Sequence, residues 1–393
     1  MRSKRSQVTM LMIVGIVIFI IVSLVLYLSK SSVKKQGQQG IKKSQEISID
    51  QQPVKEFVSK CLDKLAKDAI YTLGQQGGYL YTSQGGPIVD NLDTDEGLFF
   101  VNQNGNKVQY DIIQPRFDVT PYYSSPPNYP WLTFPYKTPD SSQEIFEGFF
   151  GINSMPALNA STGSNSIQAQ IENYIDNNMA QCADLTIFKE QGYEISMNRS
   201  RTSITIGSSD VSVKSTIPMK ITNSFTKETS EIDDFSANVD VRLKDIYYFA
   251  KDLISSDIKN INFNIADEGN NKDSFNVKLI KDIFSKDDLV IVADTESIVN
   301  GKPLEYVFAR KNRRPTLYYI KKNSLQLEHL HLITQEDLLN GTELKAMDPD
   351  EDNYTFKITP EVPKVLDIPQ IQFKIEVSDG KLSDYQIITV NEI

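Results

Sequence analysis

From Pro53 onward, Val54, Phe57, Val58, Cys61, Leu62, Leu65, Ala69 and Leu73 recur at spacings of three and four, the period of a helix with one buried face. Pro53 suits the first turn, and Gly74 stands where such a helix would stop. A second helix is predicted over 166–183, with Ile167, Ile171, Ile175, Met179 and Cys182 aligned and the polar QAQ and DNN triplets facing outward. A third is predicted over 246–258. Elsewhere the period shortens to two. Residues 193–197, 203–206, 211–213, 217–221 and 235–241 read as antiparallel strands with one wet face, and 261–265, 275–280, 289–293 and 304–309 continue the series. Residues 99–101 and 107–113 flank Asn104-Gly105, a dipeptide that accepts positive φ, so a hairpin is expected there. No repeat of roughly 20–50 residues is present.

The two ends depart from this pattern. Residues 8–28 (VTMLMIVGIVIFIIVSLVLYL) are 21 uncharged, mostly apolar positions. As a helix they would extend about 31 Å, the thickness of a bilayer core. Tyr27 and Leu28 close the run in place of the small residues of a cleavage site, so an uncleaved transmembrane helix is expected, with residues 1–7 as a cytoplasmic leader. Residues 29–52, rich in Lys, Gln, Ser and Gly, read as a flexible tether. Lysines and arginines flank both ends of the span, so charge alone does not orient it. At the other end, alternation runs through Tyr354-Phe356-Ile358, Ile371-Phe373-Ile375-Val377 and Tyr385-Ile387-Thr389, with a turn at Asp379-Gly380. A small β-sandwich is expected over 313–393.

Composition sharpens the division. The 393 residues include 41 Lys+Arg and 51 Asp+Glu, with 40% apolar and 23% charged side chains, which is ordinary for a globular chain. Eight of the basic residues and none of the acids fall in 1–43, leaving 33 basic against 51 acidic residues in the rest. An acidic body of that kind is a poor partner for nucleic acid, whose binding rewards clustered Lys and Arg. The basic flanks suit lipid headgroups, so the expected partner is a lipid bilayer.

Between Pro115 and Pro139 lie seven prolines and seven aromatics, including Tyr122, Tyr123, Tyr129, Trp131 and Tyr136. Such a segment is neither a central strand nor a helix. Two readings compete: the aromatics stack on a glycan or a surface protein, or they clamp the loop onto its own domain. Asp348, Asp350 and Asp352 alternate in one loop, with Asp379 as a more distant partner; these are candidate ligands for a structural calcium, or else a solvated acidic turn. The spacing is not that of an EF-hand, since position 6 would be Asn353 and position 12 Thr359. Asp90, Asp93, Asp95 and Glu96 form a second acidic loop.

Cys61 and Cys182 each fall on the apolar face of a predicted helix. In an oxidising compartment they would form a disulfide stabilising the fold by about 4–5 kcal/mol; in a reducing one they would be buried thiols. His329 and His331 are the only imidazoles, and no third metal ligand stands near them. Gly-x-Ser-x-Gly, His-Glu-x-x-His, Gly-x-x-x-x-Gly-Lys and Gly-x-Gly-x-x-Gly are all absent, so no catalytic or cofactor-binding residue is assigned and an enzyme is not expected.

The segment Asp348-Pro349-Asp350-Glu351-Asp352-Asn353 with Val377-Ser378-Asp379-Gly380 and a terminal strand resembles the cadherin-like, dystroglycan-type Ig-like domains of microbial surface proteins. That resemblance implies an extracellular spacer or adhesive unit, often with calcium held by acidic residues. The string Lys4-Arg5-Ser6-Gln7-Val8-Thr9 running into the apolar stretch resembles the class III signal of archaeal type IV pilin-like proteins, but Ser6 replaces the usual Gly and Leu11 the usual Glu. The order of features as a whole resembles archaeal single-pass envelope proteins. The expected fold class is therefore α+β and β-rich: one N-terminal transmembrane helix, a mixed body over 53–310 with antiparallel sheet and two or three helices, divisible near 260–270, and the C-terminal β-sandwich. The expected role is that of a single-pass cell-membrane protein, its N-terminus cytoplasmic and its body extracellular, acting in structure, adhesion or ligand binding. A pilin-like assembly subunit and an envelope hydrolase are the alternatives.

Overall fold

A computed structural model of the chain describes residues 51–90, 93–94, 97–98, 100–114, 150–163, 165–318, 320 and 324–393. Helix α1 (Gln52–Gly74) is followed by the short strands β1 (Asp93–Thr94) and β2 (Gly97–Leu98) and by the hairpin β3 (Phe100–Gln103) and β4 (Asn106–Ile113). Asn104 and Gly105 turn that hairpin with φ of 50° and 86°, as their sequence predicts. Next come β5 (Ile152–Asn153), α2 (Ile167–Cys182), the single turn α3 (Thr186–Lys189), β6 (Tyr193–Met197), β7 (Arg201–Ile206), β8 (Val211–Asn223), β9 (Thr229–Val239) and α4 (Leu243–Lys259). Three long strands, β10 (Phe275–Phe284), β11 (Asp287–Val299) and β12 (Lys302–Arg310), precede the terminal region. There the elements are β13 (Thr316–Leu317), β14 (Ser324–Leu327), β15 (Leu332–Ile333), α5 (Gln335–Leu339), β16 (Ala346–Met347), β17 (Thr355–Thr359), β18 (Lys364–Val365), β19 (Gln370–Ser378) and β20 (Ser383–Glu392).

The chain divides into two compact units. One comprises residues 51–58 with Leu185–Ser196 and Met219–Ile232. In it Phe57 meets Phe188 edge-on at 5.6 Å, and the Ser224 N–H donates to the Gly192 carbonyl at 2.8 Å. The Asn223 side-chain oxygen accepts from the Phe225 and Thr226 amides, closing the hairpin tip.

The other unit comprises Ser59–Asp184, Met197–Pro218 and Asp233–Ile393. Its main sheet runs β10-β11-β12-β4-β3, with β5 added to β4. The β12–β4 pair is parallel, with Arg310 opposite Ile112, so the sheet is mixed and not wholly antiparallel as expected. Helix α4 lays Ile246, Ala250, Leu253, Ile254 and Ile258 toward this sheet, all buried. On α1 the positions Leu62, Leu65, Ala69 and Leu73 are buried as the periodicity requires, and Gly74 lies so near β12 that a Cβ there would fall 2.3 Å from the Glu305 carbonyl oxygen. Helix α2 packs on β7 and buries Ile167, Ile171, Ile175 and Met179, with the Ser166 hydroxyl accepting from the Ala169 amide at its start.

Several expectations are corrected. The described fold is mixed α/β and β-rich, 25% helical and 41% strand, and among the described residues no helix is long and apolar enough to cross a membrane. Even α1, at 23 residues, carries Lys55, Glu56, Lys60, Asp63, Lys64, Lys67 and Asp68 along one side, the pattern of a half-buried helix. The expected span over 8–28, the leader and nearly all of the tether lie outside the described residues. Residues 261–265 form turns instead of a strand, because the side chains of Asn260 and Asn264 accept from the backbone amides two positions on. Strand β8 runs unbroken from Val211 to Asn223, joining the expected strands 211–213 and 217–221 through residues 214–216, and the Pro218 carbonyl still accepts from the Asn198 amide.

The terminal region is one four-stranded sheet, β14-β20-β19-β17, not two matched sheets. The short ribbons β13–β16 and β15–β18 and helix α5 contribute Leu317, Ala346, Ile333, Leu338 and Leu339 to the same core as Phe373, Ile375, Val377, Ile388 and Val390. Pro360, Pro363 and Pro369 lie in the segment that a second sheet would use, and each removes an N–H from any ladder. The buried side of β20 is Asp384, Ile388 and Val390, not the Tyr385-Ile387-Thr389 series that alternation singled out. Polar groups are tolerated on that side because Asp384 accepts from the Leu317 and Tyr385 amides, while Gln386 bonds both the N–H and the C=O of Ile320.

Candidate functional site

Two arginines at the end of β12 organise the most concentrated chemistry of the larger unit. Arg310 and Arg313 are 3% and 1% exposed. Around them converge Asp257 from the last turn of α4, Asp288 from the start of β11 and Asp350 from the acidic loop after β16. Arg310 reaches Asp257 Oδ1 at 3.0 Å, Asp288 Oδ2 at 2.5 Å and Asp350 Oδ1 at 3.2 Å. Arg313 reaches Asp350 Oδ1 through Nη2 at 2.8 Å and Nε at 3.0 Å, and its backbone amide donates to Asp350 Oδ2 at 2.6 Å. Its Nη1 donates to the Phe150 carbonyl and stands 2.8 Å from Asp257 Oδ2, off the hydrogen-bond line but within ion-pair reach. Burial opposes the charge of Arg310 and Arg313, yet the surrounding aspartates prevail and hold both guanidinium groups above their ordinary range. Burial likewise acts to raise Asp350, but Arg313 and Arg310 hold it below its usual value; at Asp288 burial wins and the carboxyl is raised.

The candidate calcium ligands fall beside this network. Asp350 is taken up by the two arginines. Asp348 Oδ1 accepts from the Asp350 and Asp352 amides, and Asp352 pairs with Lys286 at 3.2 Å. Asp379 Oδ1 accepts from the Lys381 and Leu382 amides, while its Oδ2 accepts from Asn312 Nδ2. Among the described residues no group of three or more His, Cys, Asp or Glu is arranged to hold a metal ion. The carboxylates do not fit a calcium cage as they stand, because guanidinium, ammonium and amide donors occupy most of their oxygens. Asp348 Oδ2 and Asn312 Oδ1 are left buried without a partner. Burial first, and the Asp350 charge second, push Asp348 up to about 7.

A second buried group lies in β4. Asp111 is wholly enclosed; Tyr306 donates to its Oδ2 at 3.1 Å, and its Oδ1 has no partner. Burial raises this carboxyl well above the ordinary range against that one hydrogen bond. Neither this group nor Asp257, Asp288, Arg310 and Arg313 was singled out from sequence. A signal was present: Asp111 interrupts the apolar run of β4, and Arg310 ends an apolar strand, positions where charge survives only with a partner.

Of the other expected residues, Cys61 and Cys182 form a disulfide with Cα atoms 5.8 Å apart. His329 pairs with Glu392 at 3.2 Å and His331 with Asp337 at 3.4 Å, so the two imidazoles serve separate surface pairs. Asp90 accepts from Thr82, Ser83 and Lys107, while Asp95 and Glu96 lie outside the described residues. Tyr122, Tyr123, Tyr129, Trp131 and Tyr136 also lie outside them.

A cleft of about 520 Å³ opens between α2 and the β7–β8 pair, lined by Asp176, Arg199, Ser200, Arg201, Thr216 and Pro218. Arg201 stands opposite Thr216 across the ladder. Thr202, on the inner face, donates to Asp176 Oδ1 at 2.7 Å, and the Ser200 hydroxyl donates to the Asp176 carbonyl. These bonds fix the cleft wall to the helix. No protein-family model matches the chain, and no curated protein matches it.

Proposed function

We propose that this chain is a structural protein of an oxidising surface compartment, with its terminal module held rigidly to the body and with no catalytic centre in the charge network. The observation that carries this reading is the closed Arg310–Arg313 network, in which α4, β11, β12 and the acidic loop each supply a charge to one another at 0–5% side-chain exposure. A hydrolytic pair needs carboxylates open to substrate and water, whereas these are enclosed and ion-paired with guanidinium groups. The Cys61–Cys182 bond supports an oxidising location, because such bonds persist where thiols are not kept reduced. Protease added to intact cells is expected to cut the protein as it does in lysate; a body cut in lysate alone would overturn the surface location. The rigid junction predicts a single cooperative unfolding transition for the larger unit, and a separate low-stability transition of the terminal module would overturn it.

A further inference from the structure

The cleft between α2 and β7–β8 goes beyond that structural role. We propose that it is a binding site for an acidic saccharide, with Arg199 and Arg201 taking the sugar's anionic group and Asp176 accepting from its hydroxyls.

Three observations carry this. The first is charge. Beyond residue 43 the chain has 33 basic against 51 acidic residues, so acids outnumber the cations available to pair with them. Arg199 and Arg201 are both exposed, both line the cleft, and neither has an ion-pair partner among the described residues. A guanidinium pair two residues apart presents forked donors matched to a carboxylate or sulfate group.

The second observation is the carboxylate set beside them. Asp176 is half-buried and anchored through Oδ1 by Thr202. For a bare inorganic anion this neighbouring negative charge is repulsive, which lowers affinity. For a ligand that carries an anionic group and neutral hydroxyls on one ring, it is an acceptor in the right place. The Thr216 hydroxyl adds a polar contact across the ladder from Arg201, and the Pro218 ring offers an apolar face for the carbon side of a pyranose.

The third is preorganisation. Ile204 donates its amide to Glu172 Oε1 at 2.9 Å, one turn of α2 before Asp176, and Thr202 holds Asp176 itself. Helix and sheet are thereby tied at two successive levels, and the wall does not need to be ordered on binding. The volume of about 520 Å³ lies in the ordinary range for a small-ligand site of roughly 300–1,000 Å³.

The test uses the full chain in low-salt buffer, titrated by calorimetry with trigalacturonate, its fully methyl-esterified neutral form, inorganic sulfate and triglutamate. Trigalacturonate is expected to bind with a dissociation constant below about 1 mM, with the ester and R199Q/R201Q each weakened at least ~10-fold. Asp176→Asn, which keeps an acceptor for Thr202, is expected to weaken trigalacturonate while leaving sulfate unchanged or slightly tighter. Retained affinity in R199Q/R201Q, or no binding of trigalacturonate, would overturn the site. Sulfate binding as tightly as the sugar acid would reduce it to an anion site, and triglutamate doing so would replace the saccharide with an acidic peptide. Both arginines are exposed, so the double variant is expected to keep its disulfide and its circular dichroism spectrum, which separates lost binding from lost folding.

Discussion

Arg313 Nη2 donates to Asp350 Oδ1 at 2.8 Å with the two side chains 1% and 2% exposed, so each charge is out of water and depends on the other. Desolvating such a pair is costly, and the cost is recovered only where further hydrogen bonds complete the geometry. Here the Arg313 amide and the Pro349 and Phe150 carbonyls supply those bonds, and Arg310 and Asp257 add ion pairs at 3.2 and 2.8 Å.

Removing one member of that set leaves the others uncompensated. Asp350→Ala is expected to lower unfolding free energy by about 3–5 kcal/mol, because two buried guanidinium groups lose a counterion. Combining it with Arg313→Met is expected to cost less than the sum of the single changes, since the pair share one interaction. Urea denaturation of the four proteins in a double-mutant cycle measures the difference.

Stability should also fall as pH rises toward neutrality because of Asp348. Its folded value of about 7 lies above the ordinary value of 3.8, so the folded state keeps a proton that the unfolded state releases. The corresponding stability is present below about pH 4 and is lost as pH rises through 7. Burial is the main cause, and Asp350 and Asp352 reinforce it, while Lys286 across the loop pairs with Asp352. Asp348→Asn removes the titration and is expected to flatten the profile between pH 4 and 7 by roughly 2–4 kcal/mol, since each tenfold change in proton affinity is worth about 1.4 kcal/mol. Denaturation midpoints at pH 5 and pH 8 test it. Asp350 acts with the opposite sign at acid pH, since its depressed value makes it lose stability only as pH falls through that value.

The Cys61–Cys182 bond closes a separation of 121 residues. In the chain-entropy account its removal costs about 4–5 kcal/mol. Cys61→Ala with Cys182→Ala is expected to lower the melting temperature markedly. Intact mass after alkylation without reductant should show no labelled thiol, and two labels would refute the bond.

Strand β20 offers a sharp test of which face is inward. Ile388 is buried and Ile387 only half-buried, although alternation favoured the side of Ile387. Ile388→Ala is expected to cost about 2–5 kcal/mol and Ile387→Ala less than half as much. Equal costs measured by chemical denaturation would refute this facing of β20.

The elements with long apolar periods were legible in the sequence. The predicted spans 166–183 and 246–258 match α2 and α4 closely, and Asn104-Gly105 turns its hairpin as expected. The apolar stripes that carry Cys61 and Cys182 also put both sulfurs on inward faces. What failed was decided between competing local signals: Asn260 and Asn264 capped amides and prevented a strand, and β20 carries apolar residues on both faces, so its period could not choose one. The candidate site was legible only in part. The acidic loop was visible as alternating aspartates, but its counterions were not, because Arg310 and Arg313 lie 35 or more residues before the loop.

The sequence by itself determined where helices and strands repeat, since those periods follow from backbone geometry within a few residues of each position. It also determined that the chain beyond residue 43 is acidic and that Cys61 and Cys182 lie on inward faces. Only the tertiary structure decided which carboxylates meet arginine, which, like Asp111 and Asp348, are enclosed with an oxygen unpaired, and which arginines are left open in a cleft. The physical reason is range: a period is set by adjacent peptide units, whereas the environment of a charge is set by segments brought together from distant parts of the chain.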